Sequence, residues 1–282
     1  MRTEIAARIA LEVSLRGALD RGELQLHYQP IVDLRTGATT GFEALMRWQH
    51  PTLGSVPPDT FIPIAEDTGL IVKLGRWAID QAAAQLAEWR RDTGLPLTMS
   101  VNLSARQMRD PQLVETVSRA LGRSSLPGEA LCLEVTESTL MDDVEATTAT
   151  IDALKALDVR LSADDFGTGY SSLAYLRQYP FDEVKVDRSF VNGLGAGGDD
   201  DVIVGAVLSM ASALSLATVA EGVETSGQRE RLLHLGAQSA QGWLFSEALP
   251  AAQVTVHLHG VPRPRPANSH AAATRTPNSS LG

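Results

Sequence analysis

Acidic and amide side chains follow a series of short apolar segments, at the point where each segment ends. The polar residues in this position are Glu43, Asn102, Glu134, Glu137, Asp164, Asp165, Lys185, Asp187 and Glu221. If the segments are strands of a parallel barrel, their C-terminal ends meet at one mouth. Five or more carboxylates in one mouth repel each other and lose hydration unless cations neutralise them. The sequence therefore predicts a cation site.

The residue types at these positions indicate which cation and which chemistry. The ligands on offer are oxygen atoms only, since no His or Cys occupies these positions, and oxygen ligands select Mg²⁺ or Mn²⁺ over Zn²⁺. Two such ions about 3.5–4 Å apart activate water and stabilise the leaving oxygen in phosphodiester cleavage. Phosphodiester hydrolysis is therefore the leading prediction. Lys185 could orient the attacking hydroxide or offset transition-state charge, and Arg47, four residues beyond Glu43, could bind a phosphate oxygen.

The stretch "SADDFGTGYSSL" combines the two adjacent aspartates with Gly167 and Gly169. The glycines allow backbone conformations closed to other residues, which predicts a tight loop beside Asp164 and Asp165, although the glycines could also serve only a turn. The letters "DFG" also occur in protein kinases. The chain has neither a Gly-rich phosphate loop near its start nor a His-Arg-Asp catalytic loop, so the kinase interpretation fails.

Each acidic residue also has a purely structural interpretation. A single acid at a strand end is more often a helix cap or one half of a surface ion pair, and only the whole set favours a functional site. Glu137, three residues after Glu134 and just before a helix, is the member for which structural support is the favoured role.

The pattern along the chain predicts a single barrel. "ELQLHYQPIVDL" and "GATTGFEALMRW" read as a hairpin with a turn at Thr36-Gly37. Short apolar strands and helices then alternate more than six times, which is typical of a mostly parallel sheet with crossover helices, and a (β/α)8-type barrel is the first choice. The predicted helices are Pro58 to Asp67, Leu70 to Asp92, Pro111 to Arg123, Val144 to Leu157, Asp201 to Leu214 and Ser226 to Leu235.

Composition restricts the partners and the compartment. The 282 residues fit one large barrel or two small domains, and the net charge of −10 argues against a broad basic surface for DNA or RNA polymers. The single cysteine, Cys132, indicates a reducing compartment, which predicts a cytoplasmic protein. The uncharged span from Val202 to Ala220 is near membrane-spanning length, but its serines favour a helix followed by a strand, so no membrane contact is predicted.

The sequence resembles the EAL domain family, phosphodiesterases that linearise the bacterial second messenger cyclic di-GMP to pGpG. The motifs in family order are "YQPIVDL", "FEALMRW", "FIPIAEDTGLI", "VNLSARQ", "LEVTES", "DDFGTGYSSLAYL", "VKVDRSFV", "VAEGVET" and "QGWLFSEALP". The resemblance runs from about residue 11 to residue 258, which leaves residues 1–10 as an N-terminal extension and residues 259–282 as a tail rich in Pro, Arg and Ser that is expected to be disordered.

The resemblance implies a TIM-like α/β barrel with an antiparallel first strand and a two-metal site that uses Mg²⁺ or Mn²⁺. The implied metal ligands are Glu43, Asn102, Glu134, Asp164, Asp165 and Glu221. Glu221 is also implied to act as a base or to position the water, and Lys185 is the implied catalytic lysine. Glu137 is implied to stabilise the glycine loop, residues 165–172. In the family this loop couples dimerisation to metal binding. A homodimer is therefore a further expectation. The implied contacts to cyclic di-GMP are Gln29, Leu45, Arg47, Asp187 and Gln241.

Two other functions remain open at this point. Some members of the family have lost catalytic residues and bind cyclic di-GMP as receptors that regulate a partner protein, but the metal and lysine positions are intact here. An enzyme acting on pGpG or another small phosphodiester is the third alternative. The sequence departs from the family at Glu247, where the family commonly has a basic residue at the rim of the barrel mouth. This departure puts the affinity for the substrate in doubt.

Overall fold

Eight strands close into a barrel in the computed structural model of the chain, which describes residues 2–136, 139–140, 144–166, 176–195 and 198–260. The described residues form ten strands: β1 (Leu24–Asp33), β2 (Thr39–His50), β3 (Gly54–Val56), β4 (Thr98–Leu103), β5 (Leu131–Thr136), β6 (Arg160–Phe166), β7 (Glu183–Val186), β8 (Ala217–Ala220), β9 (Ser239–Ala240) and β10 (Leu249–Pro250). Two of them, β3 and β10, pair with β2 and β1 outside the closed ring. From β2 through β4 to β9 each neighbouring pair is parallel, and β1 closes the barrel by pairing antiparallel with both β2 and β9. The predicted barrel with an antiparallel first strand is confirmed.

Helices connect the strands and cover the barrel. They are α1 (Arg2–Ala18), α2 (Pro58–Thr68), α3 (Leu70–Thr93), α4 (Ala105–Met108), α5 (Leu113–Ser124), α6 (Val144–Lys155), α7 (Arg188–Val191), α8 (Asp199–Ala213), α9 (Ser226–Leu235) and α10 (Ala251–Gly260). The longer helices match the predicted segments, because residues that favour helix starts or helix ends occur at their boundaries. Pro58 opens α2, and Gly69 and Gly94, in left-handed conformations, end α2 and α3.

The hairpin that begins the barrel forms at the predicted turn. The Gly37 amide donates to the Asp33 carbonyl at 2.7 Å, and Gly37 adopts a φ of +73°, which glycine tolerates without strain. The Asp33 side chain accepts from the backbone amide and the hydroxyl of Thr36, which closes the turn locally. The turn fixes the register that sets Gln29 opposite Glu43.

The hydrophobic core lies between the barrel and its helices and is centred on Trp89 of α3. Trp89 packs against Tyr28 and Phe42 with ring centroids 4.9 and 4.8 Å apart. A second cluster, which includes Leu15, lies under α1 and holds the buried Trp48. The residues of α1 on both sides of the predicted boundary at residue 11 form one continuous helix.

The uncharged span from Val202 to Ala220 does not form one helix. It contains most of α8, a turn and all of β8, as the sequence predicts. Across the ranges that the structure describes, no helix combines the length and the apolar character that crossing a membrane requires. At the other end of the chain α10 continues to Gly260, two residues into the predicted tail, and residues 261–282 lie outside the described ranges.

Candidate functional site

The ammonium group of Lys185 lies at the centre of four carboxylates inside the barrel mouth. Lys185 Nζ is 2.6 Å from Glu221 Oε1 and 2.7 Å from Glu134 Oε2, and it is 3.4 Å from oxygen atoms of both Glu43 and Asp164. The lysine side chain is 1% exposed. We call these five residues the Lys185 cluster. It joins strands β2, β5, β6 and β7 with the end of β8.

A break in β6 lets both adjacent aspartates reach the mouth. In a regular strand, neighbouring side chains point to opposite faces. Here the register of β6 against β7 slips by one residue between Ala163 and Phe166, and Asp165 adopts a φ of +54°. As a result, carboxylate oxygens of Asp164, Asp165 and Glu221 all lie within 4.8 Å of one another. A β-bulge of this kind re-aims a side chain next to a site.

Two amide side chains hold Glu43 in place. Asn102 Nδ2 donates to Glu43 Oε1 at 2.7 Å, and Gln241 Nε2 donates to Glu43 Oε2 at 2.6 Å. Gln241 Nε2 also donates to Glu221 Oε1 at 2.9 Å, so one carboxamide bridges two carboxylates from opposite parts of the barrel. These bonds fix the directions in which the carboxylate oxygens point.

Burial and mutual repulsion alter the acidity of the cluster. Burial raises the pKa of Glu221 to about 7, and burial together with the charge of Glu43 raises the pKa of Glu134 well above its ordinary value. Burial alone would lower the pKa of Lys185, but the four carboxylates outweigh it and raise that pKa well above its usual range. The ammonium therefore stays charged, while Glu134 and Glu221 hold protons more readily than exposed carboxylates do, because one lysine does not offset burial and the mutual repulsion of the cluster.

The donor set fits divalent cations that prefer oxygen. It offers Glu43, Glu134, Asp164, Asp165 and Glu221 in one mouth, where carboxylate oxygens of Asp164, Asp165 and Glu221 lie close enough together to share one ion. Mg²⁺ and Mn²⁺ bind such carboxylates, and a bound cation would supply the positive charge that the cluster lacks. The six predicted metal ligands are therefore brought together, with Asn102 attached through Glu43.

A cavity of about 930 Å³ opens beside the cluster. Its lining includes Asp164 and Asp165 and also Leu45 and Arg47 of β2, two of the predicted substrate contacts, whose role in binding stays a prediction. The cavity is also lined by Arg106 and Arg109, two arginines that the sequence pattern did not indicate as site residues. The only available signal was the position of Arg106 in "VNLSARQ", directly after the strand of Asn102. These three guanidinium groups can bind phosphate oxygens, but the lining also contains five carboxylates, Asp59, Glu66, Asp67, Asp164 and Asp165, so an anionic ligand would need cations beside it.

The remaining predicted contacts have protein partners in the structure. Gln29 Nε2 donates to the Ser246 carbonyl at 3.2 Å, and the carboxylate of Asp187 caps α7 by accepting from the Ser189 amide at 3.0 Å. Their roles in binding a ligand stay predictions. Glu137 and most of the glycine loop, including Gly167 and Gly169, lie outside the described residues, so their predicted roles also stay predictions.

Glu221 and Gln241 are held in register by two loops that bond to each other. The Val223 amide donates to the Gln241 carbonyl at 3.1 Å, and the Leu244 amide donates to the Val223 carbonyl at 2.9 Å. Gly242 lies between these bonds, and a Cβ atom there would be 2.3 Å from both the nitrogen and the oxygen of Val223. Only glycine permits this approach.

We expect Gly242→Ala to lower the free energy of unfolding by about 2 kcal/mol, because the Val223 backbone must move to admit the methyl group. Urea unfolding of the metal-free protein measures this change. Gly122→Ala is the matched control, since the same methyl group at exposed Gly122 of α5 meets open space and is expected to stabilise the helix by up to about 1 kcal/mol. Equal unfolding free energies for the two variants would contradict the close approach at Gly242.

Comparison with known sequences identifies the family. The EAL domain matches residues 12–248 of the chain. The bifunctional diguanylate cyclase/cyclic di-GMP phosphodiesterase MucR of Pseudomonas aeruginosa is 45% identical over 254 residues, which cover 90% of this chain and 37% of MucR. Signaling protein YkoW of Bacillus subtilis is 39% identical over 242 residues, covering 86% of this chain and 30% of YkoW. The chain thus spans about a third of the length of these relatives.

Solved structures show the same architecture. The MucR phosphodiesterase in complex with c-di-GMP superimposes with a TM-score of 0.83 at 46% identity, covering 87% of this chain and 99% of that one. The EAL enzyme Bd1971, in a form bound to cAMP and cyclic di-GMP, gives a TM-score of 0.86 at 32% identity, covering 90% of this chain and 70% of that one. The motifs, the barrel and these matches agree, and the chain belongs to the EAL domain family.

Proposed function

We propose that this chain hydrolyses cyclic di-GMP to linear pGpG with two divalent cations, Mg²⁺ or Mn²⁺. The observation that carries the proposal is the Lys185 cluster, in which four carboxylates surround one buried ammonium group at the end of an arginine-lined cavity. The cyclic di-GMP phosphodiesterase function of MucR and the cyclic di-GMP bound to its phosphodiesterase domain support the choice of substrate.

In this proposal the cations are held by Glu43, Asn102, Glu134, Asp164, Asp165 and Glu221. Bound cations would supply an activated water and stabilise the leaving oxygen. Glu221 is assigned to position that water and to accept its proton. The water oxygen bonds to phosphorus, the bond from phosphorus to the 3′ oxygen breaks, and the 3′ oxygen leaves with a proton. Lys185 offsets the negative charge that develops on the phosphoryl oxygens.

Binding of the substrate is assigned to the cavity. Arg47 is half-buried on the cavity wall, and burial lowers its pKa, but a guanidinium group still carries its charge at neutral pH. It can therefore hold a phosphate oxygen beside the cluster, while Leu45 offers an apolar surface. Gln29, Asp187 and Gln241 complete the proposed contacts. We also propose that the chain works in the cytoplasm, where a second messenger would be degraded, and that it forms a homodimer.

The test is turnover of cyclic di-GMP by the purified chain with Mg²⁺ or Mn²⁺, followed by chromatography of pGpG, with a chelator as control. Metal-dependent pGpG supports the proposal. Binding of cyclic di-GMP without product in either metal would favour the receptor function instead. Faster hydrolysis of pGpG than of cyclic di-GMP would favour the third alternative, an enzyme for linear substrates.

We expect the affinity for Mn²⁺ to rise with pH through about pH 7. In the metal-free protein Glu221 holds a proton below its pKa of about 7, and Mn²⁺ must displace that proton to bind the carboxylate. One displaced proton corresponds to about a tenfold gain in affinity per pH unit below that value. Titration calorimetry between pH 5.5 and pH 8 measures the slope. Glu221→Gln should lower the slope below pH 7, because the Glu221 proton is no longer displaced, and a flat curve in the unaltered protein would contradict a protonated Glu221.

A further inference from the structure

A row of three buried polar residues runs across the inside of the barrel, starting from Glu134 of the Lys185 cluster. Glu134 of β5 pairs with Ser162 of β6, and Ser162 pairs with Glu183 of β7. Glu183 precedes the inward-facing Lys185 by two residues, so it points to the same face of β7. Their exposures are 1%, 0% and 7%, so the row is closed to bulk solvent.

Each of these residues has one oxygen atom without a hydrogen-bond partner in the described part of the chain. These atoms are Glu134 Oε1, Ser162 Oγ and Glu183 Oε1. The second oxygen of each carboxylate is engaged, because Glu134 Oε2 accepts from Lys185 at 2.7 Å and Glu183 Oε2 accepts from Arg160 at 3.0 Å. A buried polar atom left unpaired costs about 1–3 kcal/mol, so three of them on adjacent strands indicate a bound partner.

The chemistry of the row selects water as that partner. Two carboxylates exclude an anion, and both carboxylates already have a cationic partner, Lys185 for Glu134 and Arg160 for Glu183, so a further cation is not needed to balance them. A buried water makes about three hydrogen bonds to otherwise unsatisfied groups. A water molecule can donate one hydrogen bond to each carboxylate and accept a hydrogen bond from the Ser162 hydroxyl. The next residue in the row, Ala217 of β8, has a small side chain that leaves room. Burial raises the pKa of Cys132, and the charges of Glu183 and Glu134 raise it further. Both carboxylates therefore lie near the same thiol group.

We propose that ordered water bridges Glu134, Ser162 and Glu183, and that Ser162 is a positioning residue for the active site. Through this water, Ser162 and the Arg160–Glu183 ion pair fix the orientation of the Glu134 carboxylate. The effect on metal binding rests on the proposed function, in which Glu134 is a metal ligand. Hydrogen-bonding groups behind a metal ligand typically change metal affinity by about 10–100-fold when they are removed.

A high-resolution crystal structure of the full chain, grown with chelator, tests the water directly. The expected result is a density peak within hydrogen-bonding distance of Glu134 Oε1, Ser162 Oγ and Glu183 Oε1. The absence of density there, or an anomalous signal from a heavier ion, would overturn the proposal. This readout does not depend on catalysis, so it decides the presence of water even if the chain hydrolyses nothing.

Ser162→Ala tests the positioning role, with Ser100→Ala as the matched control. Ser100 is another buried serine of the barrel interior, and its hydroxyl hydrogen-bonds to Cys132 instead. We expect the dissociation constant for Mn²⁺ to rise about tenfold in Ser162→Ala and less than about twofold in Ser100→Ala, measured by calorimetry. Equal constants for the two variants would overturn the positioning role. If the unaltered protein binds no Mn²⁺, the proposed two-metal site fails, and the crystallographic result still stands.

Discussion

Glu43→Gln is expected to lower the turnover of cyclic di-GMP on the order of a thousandfold. The Glu43 carboxylate accepts from Asn102, Gln241 and Lys185, and all three partners are donors. Glutamine keeps the shape of the side chain but removes the charge, and its NH₂ group would face one of these donors. The variant therefore loses a proposed metal ligand and also misaligns Gln241, which bridges to Glu221. Losing one preorganised electrostatic partner alone costs about 100–1,000-fold in rate.

The measurement is the rate of pGpG formation at saturating Mn²⁺, together with the dissociation constant for Mn²⁺. Glu88→Gln, the same exchange on the exposed face of α3, is the control and should leave both unchanged. Thermal unfolding of both variants separates a lost site from a lost fold. If Glu43→Gln kept more than a tenth of the rate, Glu43 would not be a ligand on which the reaction depends.

The fold could be predicted because its signals are local. Alternating strands and helices specify a barrel, and the barrel brings strand ends together whatever the details of packing. That is why Glu43, Glu134 and Glu221, which lie far apart in the chain, could be placed in one site before any geometry was known. The ends of the helices could be predicted for the same reason. Pro58 favours the start of α2 and Gly69 favours its end, and each affects only the adjacent turn of the helix.

The details of the site depend on backbone irregularities and side-chain directions, which the sequence pattern does not predict. The bulge at Asp165 breaks the two-residue period of β6, and a period of two would have placed Asp164 and Asp165 on opposite faces. The bridge from Gln241 to Glu43 and Glu221 depends on side-chain directions across the barrel. Ser162 gave no signal, because a small polar residue within an apolar strand is ordinary until its neighbours across the sheet are known.

Lys185→Met is expected to lower the free energy of unfolding of the metal-free protein by about 3–5 kcal/mol. Methionine fills a similar volume, but it leaves Glu43, Glu134, Asp164 and Glu221 buried without their counter-charge. Removing one partner of a buried ion pair costs that much, because the remaining charges stay desolvated. The carboxylates can take up protons instead, which raises their folded-state pKa values. A carboxylate with a raised folded pKa loses stability as the pH rises, so the destabilisation should be larger at pH 8 than at pH 5.5.

Mn²⁺ should recover much of the lost stability, because the cation brings positive charge to the same carboxylates that the ammonium group holds in its absence. Urea unfolding with chelator and with Mn²⁺, at both pH values, measures the two effects. Lys155→Met is the matched control, since Lys155 pairs with Asp182 at 2.8 Å but both side chains remain partly exposed, and its loss should cost less than about 1 kcal/mol. Even with Mn²⁺ bound, Lys185→Met should turn over cyclic di-GMP about a hundredfold more slowly, because the variant loses the charge that we propose offsets the developing charge on the phosphoryl oxygens. If the two lysine variants were equally stable in chelator, the Lys185 cluster would not be what organises the metal-free mouth of the barrel.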